Sequence, residues 1–97
     1  MDAPELHYAS PTDTIYWLPV SGAESYQVAY STDNQNWDED WWEGTITTID
    51  ISELGAGTHY FKGKSKGKGK NKKTHGSGSD WGNVLTVVKQ ASRSQAN

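Results

Sequence analysis

The stretch from Thr58 to Lys70 reads Thr-His-Tyr-Phe-Lys-Gly-Lys-Ser-Lys-Gly-Lys-Gly-Lys, with a lysine at every second position from Lys62 onward. Alternate side chains of a β-strand share one face, so this spacing places the lysines together. Burying a row of ammonium groups is prohibitive, and we therefore expect Phe61 to face a core and the lysines to face solvent. The stretch predicts a strand from Thr58 to Lys64 or Lys66, followed by a mobile loop over residues 67–78.

Other segments show the same two-residue period. Tyr26, Val28 and Tyr30 alternate with Gln27 and Ala29, which is typical of a half-buried strand. Further strands are predicted at residues 6–9, around Ile15 and Trp17, and at residues 37–43, 45–51 and 84–88. No window keeps the apolar spacing of an amphipathic helix. The sequence therefore predicts an all-β fold, an immunoglobulin-like antiparallel β-sandwich of about seven strands.

The composition supports this fold class. Five Trp and five Tyr beside one Phe and one Met favour pleated, half-buried surfaces over helices. The predicted structural core is Ile15, Trp17, Tyr26, Val28, Tyr30, Ile49, Ile51, Leu54 and Phe61. With 97 residues the chain has the length of one domain, predicted over residues 1–89, and residues 90–97 are predicted to be a polar tail or linker.

Several classes of protein are disfavoured by what the sequence lacks. Cysteine is absent, which excludes disulfides and thiolate metal sites. The apolar runs are far too short for a membrane-spanning helix, and no signal-peptide pattern is visible. His7, His59 and His75 show no ligand spacing, and no nucleophile elbow or phosphate-binding loop occurs. We expect a chain that is not an enzyme and uses no metal or cofactor.

Charge is strongly segregated along the chain. Residues 1–61 contain no Lys or Arg and carry eleven carboxylates, whereas residues 62–73 carry seven lysines and no acid. The basic patch consists of Lys62, Lys64, Lys66, Lys68, Lys70, Lys72 and Lys73. Such a distribution sets up a directional field that the small net charge of -3 conceals.

The order of several motifs resembles a fibronectin type III domain of the bacterial extracellular type. The resemblance runs over about residues 3–89 and rests on Trp17, Tyr26, Trp37, Leu54, the Gly-Ala-Gly turn at 55–57, His59-Tyr60-Phe61 and Ser79-Asp80-Trp81-Gly82-Asn83. It implies a seven-stranded sandwich without catalytic residues that serves as an adhesion, spacer or recognition module.

Two features depart from that family's pattern. Gly63 and Ser65 stand at inward positions where Val and Ala are expected, and His59 stands where many relatives carry another aromatic residue. A glycine in a central strand leaves packing space unfilled. We expect either that neighbouring Trp and Tyr rings fill this space or that the strand ends early.

Trp41 and Trp42, with Asp40 and Glu43, form a candidate contact site for carbohydrate or a partner protein. Adjacent strand residues face opposite ways, so one ring can lie in the core while the other is exposed beside carboxylates. The alternative is that both rings cover a sheet edge. For Trp81 the resemblance implies stacking on a cationic side chain of the neighbouring strand, here Lys62 or Lys64.

The basic patch allows three interpretations. Its charge can be offset within the molecule by Asp38, Glu39, Asp40 and Glu43, which are predicted to lie two strands away in the same sheet. It can instead bind a polyanion, although nucleic acid is disfavoured because the run lacks interleaved aromatic residues and the rest of the chain is acidic. Finally, the basic and acidic parts of two copies can associate in a salt-sensitive manner.

Together these observations predict a non-catalytic, extracellular or cell-surface module that spaces, displays or attaches neighbouring domains of a larger protein. The alternatives are a carbohydrate-binding module, a structural subunit of a virion or surface assembly, and a polyanion-binding domain. No membrane insertion is expected.

Overall fold

Seven strands make up the regular structure of the part of the chain that is described. The structure, a computed structural model, covers residues 1–67 and 78–90. The strands are β1 (His7–Ala9), β2 (Thr14–Tyr16), β3 (Ser25–Ser31), β4 (Asp38–Gly44), β5 (Thr48–Asp50), β6 (Gly57–Lys66) and β7 (Leu85–Lys89). Within these residues no helix occurs, and so none that could span a membrane.

The strands form two antiparallel sheets. One has the order β1-β2-β5 and the other the order β4-β3-β6-β7. The predicted all-β, two-sheet sandwich is thereby confirmed. The strand predicted over residues 45–51 is shorter, because only Thr48–Asp50 pairs with β2. The predicted loop at residues 67–78 and the predicted tail at 90–97 lie largely outside the described residues.

The inward faces of the two sheets meet in one core. Seven of the nine predicted core residues are buried, and Tyr30 and Leu54 are half-buried against them. The buried predicted residues are Ile15, Trp17, Tyr26, Val28, Ile49, Ile51 and Phe61. Leu6 and Val87 complete the core and were not predicted.

Strand β6 has the register that the lysine spacing predicts. Phe61, Gly63 and Ser65 are buried, whereas Lys62 and Lys64 are half-buried on the opposite face. The strand continues to Lys66, which is one of its two predicted end points. The cost of burying ammonium groups therefore fixes which face of this strand meets the core.

The prediction that residues 26–30 form a half-buried strand was wrong, because β3 is buried on both faces. Gln27 and Ala29 are as inaccessible as the inward residues. They pair with Lys64 and Lys62 of β6, respectively. This pairing places the aliphatic stems of the two lysines beside the outer face of β3, and long charged side chains can shield such a face while their ends stay in water.

The space beside Gly63 is filled by neither of the expected means. A Cβ atom placed on Gly63 would lie 3.3 Å from Leu6 Cδ2 and 3.3 Å from Pro4 Cγ. Both Pro4 and Leu6 are almost fully buried. The N-terminal segment (residues 2–6) therefore fills this space, instead of Trp and Tyr rings, and the strand does not end early.

Candidate functional site

The outer face of the four-stranded sheet carries lysines interleaved with tryptophans. Lys62 Nζ lies 4.3 Å from the ring centre of Trp37 and 5.2 Å from that of Trp81. Lys64 Nζ lies 4.7 Å from the ring centre of Trp81. The expected stacking of Trp81 on these lysines is confirmed. Two of the ammonium groups thus contact aromatic faces, each contact contributing about 0.5–1 kcal/mol at an exposed site.

The third lysine of this face has an acidic partner. Lys66 Nζ lies 3.0 Å from Glu43 Oε2, across the intervening strand β3. The two side chains are 40% and 55% exposed, so the pair is worth at most about 1 kcal/mol. The expected offset of charge within the molecule is therefore observed for this pair. Lys68, Lys70, Lys72 and Lys73 lie outside the described residues.

Both Trp41 and Trp42 pack against the core from the edge strand β4, which agrees with the alternative that both rings cover a sheet edge and not with one ring on each face. The Trp42 ring lies edge-on to Trp17 at 5.6 Å, and the Trp41 ring stacks on Tyr30 at 5.3 Å. The register of β3 and β4 shifts between the Val28 and Tyr30 pairs. This irregularity interrupts the strict alternation of side chains, so two adjacent rings can lie on one side of the strand.

Asp40 and Glu43, the acids predicted beside the two tryptophans, each have a polar partner. Glu43 pairs with Lys66 on the outer face, and Asp40 Oδ1 accepts a 3.5 Å bond from Gln27 Nε2. Both carboxylates are exposed, away from the core toward which the rings pack. The contact site formed by Trp41, Trp42, Asp40 and Glu43 therefore stays a prediction.

Trp41 instead lines a cleft with the segment that links β5 to β6. The cleft has a volume of about 330 Å³ and is lined by Trp41, Asp50, Ile51, Ser52, Glu53 and Leu54. Its walls combine an indole ring and aliphatic side chains with two carboxylates and a hydroxyl. This volume is at the lower end of the ~300–1,000 Å³ of small-ligand pockets.

The carboxylate of Asp50 is held in place by the following residues. Its Oδ1 accepts the backbone N–H of Ser52 at 2.8 Å. This bond, with a smaller contribution from the Ser52 hydroxyl, lowers the pKa of Asp50. Sequence reasoning missed Asp50 and Glu53 as partners of Trp41, because only the packing of β4 beside the segment after β5 brings them together.

A second ionic cluster fastens the end of β7 to the turn between β1 and β2. Lys89 Nζ lies 2.8 Å from Asp13 Oδ2 and donates to the Ile51 carbonyl oxygen at 2.7 Å. The Tyr8 hydroxyl donates to Asp13 Oδ1 at 2.7 Å. The hydrogen bond from Lys89 makes the largest contribution to lowering the pKa of Asp13, and the bond from Tyr8 makes the next largest. The same bond to Asp13 raises the pKa of Tyr8.

His59 is a buried structural residue. Its Nε2 donates to the Gly55 carbonyl oxygen at 2.8 Å, so in the neutral ring Nδ1 accepts the Tyr30 hydroxyl at 2.6 Å. The His59 and Tyr30 rings also stack at 5.7 Å. Burial raises the pKa of Tyr30. Among residues 1–67 and 78–90, no three His, Asp or Glu side chains are grouped so that they could hold a metal ion.

Comparison of the chain with protein-family models, with curated proteins and with solved structures gave no match. The resemblance to fibronectin type III domains therefore stays a prediction that rests on the residues themselves. Two candidate surfaces follow from this geometry, namely the lysine–tryptophan face, formed by Lys62, Lys64, Trp37 and Trp81, and the Trp41 cleft.

Proposed function

We propose that this chain is a non-catalytic module that spaces or displays neighbouring parts of a larger protein, outside the cell or at its surface. One observation carries the proposal: the chain enters and leaves the sandwich at opposite ends of β6. The Asp2 carbonyl oxygen accepts a 2.8 Å bond from Ser65 Oγ, whereas Lys89 pairs with Gly57. At ~3.3 Å per residue, the strand between these two points is roughly 25 Å long.

The arrangement of strands supports the immunoglobulin-like part of this proposal. A three-stranded sheet faces a four-stranded one in which β4 extends the edge beside β3. Immunoglobulin-like sandwiches of the variable type extend the corresponding sheet in the same way. The strands of such a sandwich run from one end of the domain to the other. The domain therefore holds apart whatever is attached at its two ends, as a spacer requires.

Concatemers of two and four copies, joined end to end, test the proposal. In small-angle X-ray scattering the maximum dimension is expected to rise linearly, by at least about 25 Å per added copy. A Gly/Ser chain of the same number of residues is the control, because its dimension rises only with the square root of length. Concatemers that fold back on themselves, with no linear rise, would refute the spacer function.

A second candidate function is binding of neutral carbohydrate in the Trp41 cleft, which an indole ring flanked by Asp50 and Glu53 supports. A pyranose ring can stack its C–H face on an indole while carboxylates accept its hydroxyl groups. Affinity electrophoresis in gels that contain neutral polysaccharides tests this idea with Glu53→Gln. Glu53 is exposed, and Glu39→Gln on β4 is the matched control. Retardation that only Glu53→Gln reduces supports the idea, and no retardation in any gel ends it.

Polyanion binding, salt-sensitive self-association and a role as an assembly subunit remain predictions. Four of the seven lysines on which the first two depend lie outside the described residues. The basic patch has no aromatic residues between its lysines in sequence. In the fold, however, Trp37 and Trp81 lie beside Lys62 and Lys64.

A further inference from the structure

The N-terminal segment (residues 2–6) lies in a groove whose floor is made by glycine. Pro4 and Leu6 point into the molecule and are almost fully buried. Beneath them is Gly63, where a Cβ atom would already stand 3.3 Å from each. Beside them is Gly82, where a Cβ atom would approach the Pro4 carbonyl oxygen to 2.7 Å. The two glycines therefore provide the space in which the segment lies.

Polar groups of the groove bind the backbone of the segment at both of its ends. Asn83 Oδ1 accepts the Leu6 N–H at 3.0 Å, and Asn83 Nδ2 donates to the Leu6 carbonyl oxygen at 3.3 Å. Ser65 Oγ donates to the Asp2 carbonyl oxygen at 2.8 Å. Ser65 is completely buried, where a hydroxyl requires a hydrogen-bond partner, and the Asp2 carbonyl oxygen supplies one. These contacts fix the direction and register of the bound segment.

The contacts are of the kind that protein domains make with separate extended peptides. Backbone bonds supply affinity, and pockets for alternate side chains supply specificity. Pro4 and Leu6 occupy such alternate positions, while Glu5 between them is exposed. Proline also holds the peptide close to an extended conformation before it binds.

We propose that the groove formed by Gly63, Ser65, Gly82 and Asn83 is a peptide-binding site for extended segments with the pattern Pro-x-Leu. In this structure the site is occupied by the chain's own N-terminal segment. When that segment is displaced, the groove accepts a Pro-x-Leu segment of a partner protein in the same direction. This activity goes beyond spacing, because it attaches a partner to the module without a covalent link.

The test uses the full-length chain with Pro4→Ser and Leu6→Ser, which weakens the hold of its own segment. The probe is the synthetic peptide Asp-Ala-Pro-Glu-Leu-His-Tyr, added to the isotope-labelled variant. We expect saturable shifts of the Gly63 and Gly82 amide signals, with an affinity at least tenfold higher than for the unchanged protein. A peptide with serine in place of Pro and Leu is the control and is expected to cause no shift.

The result remains decisive if the double variant is unfolded. In that case the native peptide is expected to restore the dispersed spectrum of the folded chain, and the control peptide is not. Adding Gly63→Val to the double variant is expected to reduce peptide binding at least tenfold, because it narrows the groove. The proposal would be overturned if neither binding nor refolding occurred, if the shifts were located elsewhere, or if the two peptides had equal effects.

Discussion

Replacing Gly63 with Val is expected to destabilise the protein, although valine is the residue type that the resemblance implies at this position. The reason is that Pro4 and Leu6 already occupy the space. A Cβ atom alone would stand 3.3 Å from both side chains, which is tighter than ordinary van der Waals contact. The two γ-methyl groups of valine extend further into the same region, and the segment above them has to move.

The magnitude follows from two opposing effects. Replacing glycine lowers the conformational entropy of the unfolded chain and stabilises the fold by about 0.4–1 kcal/mol. Overpacking of a filled core costs about 1–3 kcal/mol. We expect a net loss of about 1–2 kcal/mol, which corresponds to a fall in Tm of roughly 4–16 °C for a domain of this size. Gly63→Ala adds only the first, tight contact and is expected to be near neutral.

Urea denaturation of four proteins measures the effect: the unchanged chain, Gly63→Val, Leu6→Ala and the double variant. Because the two sites are in contact, Gly63→Val is expected to cost less in the Leu6→Ala background, with a coupling of about 0.5–3 kcal/mol. Gly55→Ala is the control for the glycine effect, since no atom lies within 4 Å of its Cβ position. A more stable Gly63→Val, or strictly additive effects, would show that the N-terminal segment does not fill this space.

Three further predictions concern single side chains. Lys62→Met is expected to lower the free energy of unfolding by about 1 kcal/mol, because the Lys62 ammonium group contacts two indole rings. Lys66→Met removes only an exposed ion pair, so its smaller cost should vanish in 1 M NaCl. Equal salt dependence of the two variants in denaturation would contradict this. His59→Phe keeps the ring stacking but removes the hydrogen bonds to the half-buried Tyr30 hydroxyl and to the Gly55 carbonyl oxygen, so a loss of about 1 kcal/mol is expected; an unchanged denaturation midpoint would refute it. The lowered pKa of Asp13 stabilises the fold fully above the ordinary value of 3.8, and this contribution is lost as pH falls through the folded-state pKa. Asp13→Asn should therefore flatten the acid limb of a stability–pH curve, and an identical limb would count against the ion pair.

The register of β6 was predictable because one large energy term decides it. Solvation of the ammonium groups excludes every arrangement in which Lys62 and Lys64 enter the core. Phe61 then has to face inward, and the antiparallel partner strand carries Tyr26, Val28 and Tyr30 on the same side. A local two-residue period contains all the information that this argument needs.

The N-terminal segment was not predictable in the same way. Its partners Gly63, Gly82 and Asn83 are between 57 and 79 residues away in sequence from Pro4 and Leu6, and no local period links them to these two residues. The departure at Gly63 did indicate that some group had to fill space there. Which group fills the space depends on the path of the chain between the two sheets.

The Trp41 cleft escaped prediction for a related reason. Strict alternation assigns Trp41 and Trp42 to opposite faces, and the register shift between β3 and β4 removes that constraint. Such an irregularity has no marker in this stretch, since neither Gly nor Pro lies between Asp38 and Trp42. The sequence pointed to Trp41 as a site residue, but not to Asp50 and Glu53, which line the cleft with it.

These differences bear on where function should be sought in this fold. The two most conspicuous features of the sequence, the lysine repeat and the adjacent tryptophans, contribute to stability: Lys62 and Lys64 contact indole rings, and Trp41 and Trp42 seal the core. The groove around Gly63 and the cleft beside Trp41 are instead assembled from segments distant in sequence. Each combines an apolar floor with fixed hydrogen-bonding groups at its rim, as ligand recognition requires. The cleft lies beside the register shift between β3 and β4, and the groove lies beside a glycine where the resemblance implies valine, so both proposed sites are found where the chain departs from an expected pattern, either in backbone pairing or in sequence.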